Sequence, residues 1–269
     1  MAVAGAIMLL VALFVAIFAG WIAPFDPKAA VKVTIDNIYV KPGGDHLLGT
    51  DDAGKDVLSN LFYGARVSLL VGFFASFISL VIGGMIGLTA GFFGGRVDNL
   101  LMRLTDVLLV IPDLPLMIVL IAFLGRGLGI LIFVIGILGW TGTARVVRAS
   151  ILSEKTNQYI EAAPVIGCSN WRIMFRHLLP NVMASIIVIM SVMVGVAILV
   201  EAALSFLGLG VRPPTASWGQ MLSIDGRTYM LQQPWLAIWP GAAISVIVLS
   251  LNLLGDALRD LTDPKLRMR

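Results

Sequence analysis

Apolar positions along the chain gather into six long blocks separated by polar or Pro/Gly-rich stretches. The first block runs from Val3 to Ile22 with no charge inside it and Trp21 near its end. The others lie at about 67–92, 100–124, 128–148, 182–207 and 235–255. A bilayer core about 30 Å thick needs about 20 apolar residues in a helix. The pattern therefore predicts an all-α integral membrane protein with about six transmembrane helices. The intervening stretches are 24–66, 93–99, 125–127, 149–181, 208–234 and the tail from 256. Residues 1–269 read as a single transmembrane domain, with an anchoring helix at 3–22, core helices over 67–255 and a long loop at 149–181.

Composition makes lipid the solvent. Hydrophobic residues make up 58% of the chain and charged residues 13%, with a mean hydropathy of +0.95. A soluble domain carries about 25% charged residues, and this chain has too few to clothe a water-facing surface. The first block is too long for a signal peptide core and lacks a basic start. It reads as a retained anchor, and the missing basic start fits a natural N-terminus that begins further upstream.

Charge sets the expected orientation. One side of the six-span scheme carries Arg96, Arg103, Arg145, Arg148, Lys155, Arg172, Arg176, Arg259, Lys265, Arg267 and Arg269. The other carries Lys28, Lys32, Lys41, Lys55, Arg66, Arg126, Arg212 and Arg227, spread over longer loops. The bias places the 149–181 loop and both termini in the cytoplasm. Trp21, Trp235 and Trp239 then fall near the outer face, as interfacial aromatics do. The net charge of +3 comes without any dense basic run, so nucleic acid is not the expected partner.

Within the blocks, glycine and ionisable residues stand out. Ser79, Gly83, Gly87, Gly91 and Gly95 line one helix face, a seam another backbone can approach closely. Pro112 and Pro115 bracket Asp113 in the third block; prolines remove helix hydrogen bonds, and a carboxylate at this depth needs a partner or water. Asp113 is either a polar group at a broken helix beside an aqueous path, open to a cationic group, or a packing carboxylate paired to a neighbour. Glu201 poses the same choice, with packing favoured. Arg103 and Asp106 lie near the inner interface, where snorkelling or mutual pairing satisfies them.

Several chemistries find no support. Gly54-Lys55 continues to Asp56 without the glycine spacing of a phosphate-binding loop. His46 and His177 fall on opposite predicted sides and cannot share a metal. Lone Cys168 excludes an internal disulfide. No catalytic triad or paired catalytic carboxylates can be placed, so the chain does not read as an enzyme.

The 149–181 loop has the most distinctive pattern. Tyr159 to Ile166 can form a short helix, Gly167 supplies a turn of positive φ, and Ser169 can cap a second helix carrying Trp171, Ile173 and Phe175. Pro180 is expected to end that helix. A compact helix-turn-helix with outward apolar residues suits a groove on a partner.

Glu161-Ala162-Ala163, Gly167 and His177-Leu178-Leu179-Pro180 resemble the E-A-A-x-x-x-G and H-x-L-P signature of the membrane subunits of ABC importers. His46-Leu47-Leu48-Gly49-Thr50-Asp51-Asp52-Ala53-Gly54-Lys55-Asp56 resembles a segment of the dipeptide/oligopeptide/nickel permease family, with Leu47 and Lys55 replacing its usual Pro and Arg. Glu201 to Gly210, Pro213-Pro214, Ser217-Trp218-Gly219, and Gly255 to Asp260 with Asp263-Pro264 are similar to the family's second membrane subunit. Pro164 departs from the usual Arg, Lys or Ala and is expected to shorten the first turn.

The resemblance implies a type I importer arrangement and a permease in the prokaryotic cytoplasmic membrane. It also implies three kinds of partner besides lipid: a second homologous permease subunit, two cytoplasmic ATP-binding subunits, and an extracytoplasmic substrate-binding protein. ATP and Mg would sit on the ATPases, and this chain would hold no cofactor and no metal. Glu161, Ala162, Ala163 and Gly167 would couple to the ATPases, and the cargo would be short peptides, or nickel, an oligosaccharide or another small solute. The outer loops, with Trp218 and Tyr229, are candidate contacts for the binding protein, and Asp113 and Glu201 are candidates for the translocation path. An ion-coupled secondary transporter using those two carboxyls is the reading from another class; inverted repeats would favour it, and none is visible. A purely structural scaffold is a third reading, in which changes in the 149–181 loop leave transport untouched.

Overall fold

A computed structural model describes residues 1–27, 29, 33–34, 36–223, 229 and 231–262. Lys28, Lys32, Arg227, Lys265, Arg267 and Arg269 of the charge bias, and the Asp263-Pro264 pair, lie outside the described residues. The described chain is helical, with only two isolated β-bridges.

The longest helices are α1 (Ala2–Ile22), α2 (Val57–Phe93), α9 (Leu179–Phe206) and α11 (Trp235–Thr262). Two bent pairs lie between them: α3 (Gly95–Val110) with α4 (Asp113–Leu124), and α5 (Leu128–Leu138) with α6 (Trp140–Lys155). The first pair bends by 82° and the second by 43°, giving six crossings if each pair counts as one. The third block is thus two helices broken at Ile111-Pro112, where the proline denies the chain a continuous ladder.

Helix α2 starts ten residues before the predicted span because its first turns are polar yet face protein. The Asp56 side chain caps it by accepting from the Ser59 N–H at 2.8 Å, the commonest way to satisfy an orphan N-terminal donor. Asn60 donates to Asp51 at 3.0 Å. Arg66 donates to the carbonyls of Ala16 and Ile17, each at 2.9 Å, and so ties α2 to α1. Its 37 residues extend about 55 Å, well beyond the bilayer core.

Helix α2 is the spine, packed by α1, α5, α6 and α9. The small-residue face does what its spacing predicts at Gly83, Gly87 and Gly91. A Cβ on Gly83 or Gly87 would lie 2.5 Å from the carbonyl oxygen of Trp140 or Ala144, and one on Gly91 would lie 2.8 Å from Ile151. Ser79 extends the line, donating to the Gly136 carbonyl at 2.7 Å. Gly95 does not belong to the seam: it faces open space at φ +53°, in the turn into α3. At the far side, Gly5 of α1 rests on Ser250 and Leu253 of α11. The beginning of α1 thus meets the second half of α11.

Candidate functional site

Three sites claim the ionisable and apolar residues that span packing leaves over: the 149–181 loop, a cavity beside α4, and a polar knot at the opposite end of the bundle from the loop.

The loop begins where α6 ends. Helix α7 (Gln158–Ala162) is short, and Pro164 follows it at once. The predicted segment to Ile166 is therefore cut back, as the proline suggested. Gly167 has φ +82°, a left-handed conformation costly for any residue with a Cβ. Ser169 caps α8 (Asn170–Arg172), accepting from the Arg172 N–H at 3.4 Å. Contrary to expectation, Pro180 does not end the second helix. A π-helical turn (Ile173–Leu178) runs straight into α9, and helical structure continues from Asn170 to Phe206. The wider turn precedes the proline, which falls in the first turn of α9, where a missing N–H costs least.

The inner face of the loop is tied down. Ile160, Ala163, Ile173, Met174 and Leu178 are buried against Leu88, Val147 and Ile151 of α2 and α6. Lys155 donates to the Phe92 carbonyl at 2.5 Å, joining the ends of α6 and α2. Arg148 grips Asp98 of α3 with two bonds of 2.5 and 2.6 Å, a bidentate pairing. Tyr159 donates to the Glu154 carboxylate and accepts from Asn181 at 2.9 Å, linking α6, α7 and α9. No sequence signal marked these partners, because Asp98 and Arg148 are fifty residues apart. The outer face is open: Glu161 and Ala162 are exposed, as are Val165 at 85%, Ile166 at 78% and Trp171 at 68%. The loop thus presents an apolar tip on a braced base.

The cavity, about 390 Å³, lies between α2, the α3–α4 break, α5–α6 and α9. Its walls are mainly apolar, from Met117, Ile135, Met193, Val196 and others, with Asp113, Ser76, Ser79, Thr141 and Thr143 as polar residues. Asp113 is the exposed first residue of α4 and has no hydrogen-bond or ion-pair partner among the described residues. Ser76 Oγ is buried and also unpartnered. Of the two options for Asp106, snorkelling or pairing with Arg103, it takes neither: it pairs with Arg145 at 2.6 Å.

Glu201 is 0% exposed. Its carboxyl accepts from Ser205 and Ser217 at 2.7 Å each and from Ser68 at 3.2 Å. Those hydroxyls belong to α9, to the segment before α10 (Trp218–Ser223), and to α2. Glu201 therefore clamps three elements. Trp218 needs correction as a surface contact. It is 4% exposed, with its ring N–H donating to the Leu61 carbonyl at 3.0 Å and its backbone N–H to Ser68 Oγ at 3.2 Å. The segment folds back so closely that a Cβ on Gly219 would sit 2.5 Å from Ala202 Cα. Tyr229 remains partly exposed, its ring 4.8 Å from that of Tyr39. His46 meets Asp56 at 3.0 Å, and no group of three metal-ligating side chains occurs among the described residues.

Comparison with known proteins matches this architecture. Residues 1–42 match the N-terminal TM domain of oligopeptide transport permease C. The oligopeptide transport system permease protein OppC of Bacillus subtilis (strain 168) is 39% identical over 267 residues, covering 99% of this chain and 86% of the relative. The di/tripeptide transport system permease protein DppC of Pseudomonas aeruginosa (strain UCBPP-PA14) is 42% identical over 272 residues, covering 99% and 88%. The glutathione transport system permease protein GsiD of Escherichia coli O6:K15:H31 is 42% identical over 267 residues, covering 99% and 87%. With residues 83–268 matching the family described as binding-protein-dependent transport system inner membrane component, the chain belongs to that family of multi-pass bacterial membrane transport subunits, which are not themselves enzymes.

Proposed function

We propose that this chain is one permease subunit of an ATP-driven importer of short peptides, working with a second homologous permease, two cytoplasmic ATPases that hold ATP and Mg, and an extracytoplasmic binding protein. The observation that carries the proposal is the 149–181 loop: a family-type Glu161-Ala162-Ala163 and Gly167 sequence with an apolar tip and a braced base. Such a tip buries Val165, Ile166 and Trp171 in a groove of the ATPase, in the helix-in-groove manner. The braces pass its displacement to α2, α3, α6 and α9 without slack. The chain ends and this loop are cytoplasmic in this reading, as the positive charges favour. The relatives named for oligopeptides, di/tripeptides and glutathione support peptide cargo over nickel or oligosaccharide.

Two packings of the spans, opening outward or inward, are biased by ligands at both ends. ATP-driven closure of the ATPases pulls the loops together and opens the cavity to the binding protein; hydrolysis reverses this. Asp113 faces the path. Tyr229 and the neighbouring outer loop receive the binding protein.

Gly167→Val tests the coupling. A β-branched residue at φ +82° costs about 1–2 kcal/mol and reshapes the tip, while the spans insert as before. In proteoliposomes holding the whole transporter, peptide uptake per ATP hydrolysed is expected to fall about tenfold, in proportion to that cost. Normal uptake with normal substrate-stimulated hydrolysis would refute a coupling role for the loop.

A further inference from the structure

The cavity beside α4 has an uneven set of polar groups. Asp113 lines it and meets no cation. Arg145, on the same helix as Thr141 and Thr143, is paired with Asp106 at 2.6 Å. Asp113 is the one uncompensated formal charge among the described lining residues. Its place at the first position of α4 lets the helix dipole complement the negative charge. Ser76 Oγ, 1% exposed, lines the same cavity with its hydrogen-bonding capacity unused. Thr143 spends its hydroxyl only on the weak acceptor Met193 Sδ, at 2.9 Å. A buried hydroxyl without a partner is costly, and here Ser76 is one, in the same cavity as a free carboxylate.

We infer that this cavity holds the amino end of the transported peptide: Asp113 takes the α-ammonium, and the Ser76 and Thr143 hydroxyls donate to the first peptide carbonyls. The inference rests on the importer reading and gives the cavity a substrate rule of its own. The argument is one of complementarity. Peptides of different sequence share only their backbone and two charged ends. This cavity offers an anion and hydroxyl donors but no free cation, so it can recognise the amino end and not the carboxylate. Its apolar walls, in a volume of about 390 Å³, lie within the ordinary size range of ligand sites. They accept varied side chains without selecting among them. A second permease subunit would close the open side.

The test leaves out the binding protein, whose own selectivity would mask the effect. The permease pair with its ATPases is placed in lipid nanodiscs and irradiated with a dipeptide carrying a diazirine side chain, in four forms. These are free at both ends, N-acetylated, C-amidated, and N-acetylated with lysine as the second residue. Mass spectrometry counts labels on residues 109–117 and 139–146. The free and C-amidated forms are expected to label alike, and about tenfold more than either acetylated form, as for a lost charge-assisted bond. Asp113→Asn is expected to erase that difference, and Ser76→Ala to lower labelling by the free form less than Asp113→Asn does. Equal labelling by free and acetylated forms, strong labelling by the lysine form, or no labelling at all would overturn the inference. So would an unchanged ratio in Asp113→Asn. The comparison of free and acetylated peptides needs only the unaltered protein, so a folding defect in a variant cannot hide the answer. ATP-driven uptake of the same free peptide by the complete transporter is measured in parallel. Uptake with equal labelling refutes only the amino-end rule, whereas absent uptake refutes the importer reading itself.

Discussion

The tripeptide Glu-Ala-Ala occurs twice in this chain, and its two copies end in opposite circumstances. At Glu161-Ala162-Ala163 the carboxylate stands in solvent on a short helix, and only Ala163 is buried. At Glu201-Ala202-Ala203 the carboxyl is wholly buried and held by three hydroxyls from three elements. A proline follows the first copy and ends its helix; Leu204 and Ser205 follow the second and continue it. The same three residues thus make a surface in one place and a clamp in the other. The difference lies in what the rest of the chain brings to them: Ser68 and Ser217 from afar, against open water. One copy contributes to stability and the other, in the proposed function, to coupling, so each should fail in its own way.

Replacement at Glu201 should have the larger effect. Glu201→Leu leaves the Ser68, Ser205 and Ser217 hydroxyls without their acceptor and loosens the α10 segment. The expected loss is about 3 kcal/mol, read as a lower unfolding midpoint of the purified transporter and less protein in the membrane. Glu201→Gln keeps the shape and an acceptor oxygen, and should lose about 1 kcal/mol. If Glu201→Leu were as stable as the parent yet failed to transport, the clamp would be the wrong account, and a role in the path would return. Glu161→Ala sharpens the contrast from the other side. Its carboxylate is exposed, so the unfolding midpoint should stay unchanged while uptake per ATP falls. A variant that unfolds early instead would show that the two copies are not specialised as described.

The contrast also marks how far the sequence could be read. Hydrophobic block length revealed the four long apolar helices, and six crossings if each bent pair is one, because lipid demands long apolar runs whatever their neighbours. The α2 seam was visible at Gly83, Gly87 and Gly91, since four-residue spacing fixes a helix face. The same rule failed at Gly95, because periodicity does not say where a helix stops. The early start of α2 was hidden: Ser59, Asn60 and Arg66 look like loop residues until Asp56, Asp51 and α1 are beside them. Trp218 misled for the same reason, since an aromatic between prolines and glycine looks like surface until α10 is seen folded against α2. The loop's outline could be read from Gly167 and Ser169, whose roles are local. The braces at Asp98–Arg148 and Tyr159–Asn181 could not, because distance along the chain carries no record of distance in space.

Tyr159 offers the smallest and most specific test, since it lies on the helix of the first Glu-Ala-Ala copy, two residues before it. Its hydroxyl bridges Glu154 and Asn181, so Tyr159→Phe cuts one cross-link between α6 and α9 and leaves the ring in place. A single hydrogen bond of this kind is worth about 1 kcal/mol, and uptake per ATP should fall by no more than about fivefold. Desolvation and the adjacent Glu154 carboxylate push the phenol up to about 12. A pKa raised above the ordinary value of about 10 means the bond is fully present below that value and is lost only as pH climbs through the raised one. The ratio of parent to variant should therefore be constant from about pH 6 to 9. A ratio that changed across that interval would assign the brace to some other titrating group. A ratio of one throughout would mean that the loop moves α9 by apolar packing alone, through Ile173, Met174 and Leu178.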